Sequence, residues 1–192
     1  MGRKRGIVPT LPFEDSLPPD DPALLPGLAP LGLRTLRCGP EDRDFLLALY
    51  AGTRASELAQ TGWPAEQVQA FLTGQFEHQQ RHYEAHFPGA LFLLLMRHGL
   101  PVGRLSWWES REQAVLVDVI LLPALRGQGL GTALLKTLLD HADARGLPVE
   151  LHVAAGNPAH RLYRRLGFVP IADKGFHTQM RRPVPQVAVP HG

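Results

Sequence analysis

The spacing of apolar and polar positions changes several times along this chain, and each change marks an element. "LGLRTLR" reads as a short strand. In "GPEDRDFLLALYAGTRASEL" the residues Phe45, Leu46, Leu49 and Tyr50 recur at helical spacing behind Pro40 and an acidic opening. "PAEQVQAFLTGQFEHQQRHYEAHF" is a second helix, with Pro64 near its first turn and a stripe of Val68, Phe71, Leu72, Phe76 and Tyr83. "ALFLLLMRHGLPVGRLSWWES" is two apolar runs around a turn, hence a hairpin. "EQAVLVDVILL" is a further strand, apolar enough to be buried on both sides. A glycine-rich stretch follows. Leu130, Ala133, Leu134, Leu138 and Ala142 then form the inner stripe of a helix ending near Arg145. "GLPVELHVAA" is a strand, and "NPAHRLYRRLG" a helix capped by Asn157, with Pro158 in first position and Gly167 at its end. "FVPIA" and "FHTQMRR" close the chain as a hairpin. This order predicts an α/β chain, a mixed sheet with helices packed on its faces.

The same reading sets the boundaries. Residues 1–31 hold seven prolines and little periodicity, which predicts a flexible extension. One domain is expected over 32–183, and a short flexible tail over 184–192. At 192 residues and 44% hydrophobic content, the chain can bury one core. Twenty basic against 18 acidic side chains give no footprint for nucleic acid. No apolar run is long enough to cross a bilayer, and the basic start lacks an apolar signal region. A single cysteine, Cys38, fits a reducing compartment and is read as a small apolar residue rather than a nucleophile. A soluble, cytoplasmic protein without membrane or nucleic-acid partner is expected.

"LPALRGQGLGTALL" carries the chemistry. Gly127, Gly129 and Gly131 stand where a strand gives way to a helix, at a cost of roughly 1 kcal/mol each within a helix. A helix start leaves its first N–H groups without partners and carries partial positive charge, so it favours an anion, phosphate above all. Bare glycines let that anion approach the main chain. The P-loop is excluded, because no Gly-Lys-Ser/Thr occurs, and the dinucleotide fingerprint fails at Thr132. R-x-x-G-x-G is met by Arg126, Gly129 and Gly131.

"LLPALRGQGLGTALLKTLLDHA" followed by "LHVAAGNPAHRLYRRLGF" strongly resembles the GCN5-related N-acetyltransferase (GNAT) superfamily, over roughly Ala90 to Arg182. The resemblance implies a central mixed sheet whose fourth and fifth strands splay apart, with helices on both faces. It implies acetyl-CoA as acyl donor, its pantetheine arm pairing with the fourth strand near Leu121 and Leu122. The pyrophosphate would lie on the amides of Arg126, Gly127, Gln128, Gly129, Leu130, Gly131 and Thr132. Asn157 matches an asparagine that often contacts the CoA arm, and Tyr163 the tyrosine beside the CoA sulfur, here a candidate general acid.

Acetyl transfer to an amine also needs a route for the amine's proton. Asp118 is the lone acid in "LVDVILL", where a carboxylate is costly unless paired or functional. His152 stands where some relatives carry a glutamate, and its ordinary pKa suits neutral pH. The base is left open among His152, Asp118 and a water relay. Acceptor binding is assigned to Arg54, Glu57, Gln75 and Tyr83 of the front helices. Of Trp107 and Trp108, which point to opposite faces of one strand, Trp107 is assigned to the cleft. His78, His82 and His86 share a helix face, but Gln79 replaces the glutamate of the zinc-protease motif, so no metal is expected.

With no cysteine near the motifs, the expected activity is N-acetyl transfer to a primary amine by direct attack in a ternary complex. Two alternatives are an acyl-CoA-binding or sensing module without turnover, and an acyltransferase for longer acyl chains. The acceptor is not legible. Oligomeric state is equally illegible, although homodimers are common in the superfamily.

Overall fold

The computed structural model describes residues 26–185. Strands β1 (Leu33–Arg37), β2 (Leu91–Arg97), β3 (Leu100–Glu109), β4 (Ala114–Leu121), β5 (Val149–Ala154), β6 (Val169–Asp173) and β7 (His177–Arg182) form one sheet, in the order β1-β2-β3-β4-β5-β7-β6. Helices α1 (Arg43–Leu58), α2 (Ala65–His86), α3 (Leu130–Ala144) and α4 (Ala159–Arg165) cover it. All pairings are antiparallel except β4 with β5. At the β2–β3 turn both His98 and Gly99 take positive φ, as a tight two-residue hairpin requires.

Alternation along β2 separates two cores. Leu93 and Leu95 join Leu134, Leu138, Leu151 and Tyr163 beneath α3 and α4. Leu94 and Met96 join Leu46, Tyr50, Leu72 and Phe76 beneath α1 and α2. Successive strand residues face opposite sides, so the two helix pairs lie on opposite faces.

Two departures from regular pairing shape the centre. In β3 and β4, Trp107 pairs Leu116 and Ser106 pairs Asp118, so Val117 is an extra residue, a bulge. Parallel pairing of β4 with β5 covers only Ala114–Val149, Val115–Glu150 and Leu116–Leu151. Above those rungs β4 runs on to Leu121 and β5 to Ala154 without pairing to each other, which is the expected splay. β4 is accordingly not buried on both sides throughout. Val117 to Ile120 are half-exposed, because no strand covers that edge of β4 beyond Leu116.

The described structure begins inside the segment expected as extension. Pro26–Leu31 forms a 3-10 turn, and within it Leu28 is 2% exposed in the core shared with α3. One apolar anchor is enough to order a proline-rich segment whose average composition reads as extension. Residues 1–25 and 186–192, which hold the rest of the expected extension and most of the expected tail, lie outside the described residues.

Candidate active site

The glycine stretch lies at the open end of the β4/β5 gap. A 3-10 turn, Pro123–Leu125, leads from β4 to Arg126, and α3 begins at Leu130. Gly127 has φ 73° and Gly129 φ 79°, left-handed values that side-chain-bearing residues rarely adopt. A Cβ at either would meet no atom within 4 Å. The backbone angle demands glycine here, and the space before it is open. Arg126 N–H donates to Pro123 O at 3.1 Å, and the next backbone bond is Ala133 N–H to Gly129 O. Among the described residues, the N–H groups of Gly127, Gln128, Gly129, Leu130, Gly131 and Thr132 have no protein partner. The run of unpartnered amides therefore starts at Gly127, since the Arg126 N–H is bonded within the turn. The Arg126 side chain is also engaged, Nε donating to Leu121 O at 3.1 Å. That carbonyl lies in the stretch of β4 near which the pantetheine arm is expected to pair. Leu122 N–H is likewise taken, by Val102 O at 2.9 Å.

Tyr163 is buried on α4 in an edge-on contact with Phe168, ring centroids 5.7 Å apart. Burial, then the charge of Asp118, pushes its hydroxyl up to about 12. It stays protonated through neutral pH, the form that donates. Asn157 Oδ1 accepts from Ala159 N–H at 2.9 Å, the expected cap of α4.

Asp118 sits beside the bulge on the α1/α2 face. Arg104 Nε donates to its Oδ2 at 2.8 Å, and Nη2 donates to the same oxygen. Gln80 Oε1 takes Arg104 Nη1 at 2.9 Å and Gln79 Oε1 takes Nη2 at 3.1 Å. Arg104 is 1% exposed, so this network holds a fully buried cation. Oδ1 of Asp118 has no partner among the described residues. Beside it on the same face, Ser106 is buried with its hydroxyl unpartnered. Sequence reasoning missed Arg104, Gln79 and Gln80. The signal was there: an arginine in an apolar strand needs a carboxylate, and Asp118 is the acid on the adjoining one.

His152 is exposed, with its neighbours Leu151 and Val153 pointing into the α3/α4 core, so it faces the same side as Asp118. Burial, then Lys174 and, more weakly, His177 lower its pKa from 6.5 against an opposing pull from Glu150, which favours the neutral ring. Tyr83 is half-buried on α2, its hydroxyl pushed up by burial and then by Asp118. Asp118 thus lies between tyrosines of opposite layers.

The remaining acceptor residues are less gathered. Arg54 Nε pairs with Glu57 Oε2 at 3.3 Å on α1, and Gln75 is exposed on α2. Trp107 does not line the cleft. It is 1% exposed in the α3/α4 core, and its Nε1 donates to Glu109 Oε1 at 2.6 Å. Its orientation follows from regular alternation with Leu105, two residues earlier on β3, which faces the same core. Trp108, on the opposite face, donates to Pro88 O at 3.0 Å. Burial, then Asp42, pushes the Cys38 thiol up to about 11 against the pull of Arg104, so it is a poor nucleophile at neutral pH.

Comparison with known proteins places this geometry. The Acetyltransferase (GNAT) family matches residues 55–168, more than half the chain. A mycothiol acetyltransferase of Acidothermus cellulolyticus is 34% identical over 80% of this chain and 49% of its own length. The chain therefore spans about half of that relative. A putative [ribosomal protein bS18]-alanine N-acetyltransferase of Bacillus subtilis is 30% identical over 43% of this chain and 56% of its own. The crystal structure of the PaiA N-acetyltransferase from Thermoplasma acidophilum, in complex with coenzyme A, shares the fold. Its TM-score is 0.59 at 16% identity, over 79% of this chain and 98% of that one.

Proposed function

The chain belongs to the GNAT acetyltransferase family, and on that premise we propose that it transfers an acetyl group from acetyl-CoA to a primary amine by direct attack, both substrates bound together. One observation carries this reading: the unpartnered amides from Gly127 to Thr132, standing over open space at the mouth of the β4/β5 gap. Such a cluster at a helix start fits a pyrophosphate. The two faces divide the work. The α3/α4 side holds the donor, with Tyr163 at the sulfur. The α1/α2 side, with Asp118 and His152, receives the acceptor.

The amine nitrogen attacks the thioester carbonyl carbon, a β4 peptide N–H beyond the bulge stabilises the oxyanion, and the C–S bond breaks. The departing sulfur takes the Tyr163 proton, and the amine gives its own to His152, directly or through water. Asp118, fixed by Arg104 through Oδ2, offers Oδ1 to the acceptor N–H as a positioning group.

Tyr163→Phe is expected to lower kcat about 100-fold while leaving the acetyl-CoA dissociation constant within about twofold, as read by calorimetry and thiol release. With His152 as base, kcat/KM falls as pH drops through a value below 6.5, the ordinary histidine value. A rate profile of His152→Gln should lose that acidic limb. An unchanged limb assigns proton removal to water. The reading as a whole is tested by acetyl-CoA binding, then by thiol release with a panel of amines including glucosamine, spermidine, lysine and an alanine-led peptide. No acetyl-CoA binding overturns it. Binding without turnover of any amine would leave the acyl-CoA-sensing alternative.

A further inference from the structure

We infer that His82 and His86 form a surface chelate for a divalent cation of the zinc, nickel and copper class, a site separate from the acetyl-transfer cleft. The two residues lie four apart on α2, neighbours on one helix face, and both are exposed. Their rings are in contact, centroids 3.9 Å apart at 30°, and turn out of the stack to bring both in-plane lone pairs onto one ion. His86 Nδ1 lies 2.9 Å from the His82 carbonyl oxygen. A carbonyl only accepts, so Nδ1 carries the proton and Nε2 of the neutral ring presents its lone pair. Metal-ligating histidines are commonly prepared in this way, the far nitrogen bonded to a carbonyl and the near one left for the metal.

The pair sits in the last two turns of α2, where the helix macrodipole favours positive charge. Imidazole selects zinc, nickel and copper over magnesium and calcium, which take oxygen ligands. Among the described residues no group of three or more His, Cys, Asp or Glu side chains gathers as a metal site. The chelate therefore has two protein ligands, with water completing the shell. This is an open site of moderate affinity, unlike a closed structural zinc site. Gln79 and Gln80 leave the preceding turn of the same helix for the Arg104 network, so an ion clamping residues 82 and 86 braces the end of the helix that carries that network.

The test is calorimetric titration of the full chain, free of any affinity tag, with zinc chloride and separately with magnesium chloride. One zinc per chain and no magnesium binding are expected. His86→Asn and His82→Asn should each weaken zinc about tenfold or more, the loss of one of two ligands. His152→Asn and His177→Asn, which alter the other neighbouring pair of histidines, should leave it unchanged. Zinc at about 100 times its dissociation constant should raise Tm by roughly 5 °C, and His82→Asn should abolish the shift. Equal zinc binding by wild type and His82→Asn overturns the proposal. So does loss of binding in the His152 or His177 variants, or a greater loss in His78→Asn than in His86→Asn.

Discussion

Gly129→Glu is expected to lower acetyl-CoA affinity by on the order of 100-fold or more, a loss of about 3 kcal/mol. The substitution acts in two ways. It puts a side chain at φ 79°, where an L-residue is strained by about 1–2 kcal/mol. It also sets a carboxylate among the amides that would hold the pyrophosphate, so an internal anion competes with the ligand. Gly129→Ala separates the two effects, carrying the backbone strain without the charge. Both variants should melt within several degrees of each other, and only the glutamate should silence binding in calorimetry. A Gly129→Glu protein that binds acetyl-CoA within threefold of wild type would remove the amide cradle from the account of donor binding.

The second large effect concerns stability. Arg104→Met should cost about 3–5 kcal/mol in urea denaturation, because it leaves Asp118 without its buried cation and frees Gln79 and Gln80 of their donor. The double variant Arg104→Met/Asp118→Leu should recover most of that loss, since an apolar pair of similar volume needs no compensation. Full destabilisation persisting in the double variant would mean that the network, rather than the isolated charge, sets the cost. The recovered protein also separates fold from function, because it keeps the sheet while lacking the carboxylate proposed to position the acceptor.

Local chemistry made much of this legible. Gly127 and Gly129 were readable because only glycine tolerates the angles they adopt, and Asn157 because its cap is a contact with the next turn. The helices and the closing hairpin were equally readable from period alone. What escaped depends on contacts between distant segments. Leu28 is invisible in a proline-rich average, since its burial comes from α3. Trp107 and Trp108 could be placed on opposite faces, but which of them faced the core was decided by the layer of helices that covers Leu105, two residues before Trp107 on the same face, a contact between distant segments. Arg104 looked like a break in an apolar run, and its meaning appears only once β4 and α2 are laid on either side of it.

Three parallel rungs, Ala114 to Leu116 on one side and Val149 to Leu151 on the other, form the whole seam between two otherwise antiparallel half-sheets. The antiparallel ladder of each half is complete without the other, so a widening of the cleft can be taken up at the seam without unzipping a hairpin. Amide hydrogen exchange should accordingly report two slow blocks, one in β2 and β3 and one in β5 and β7, with faster exchange along the free rim of β4.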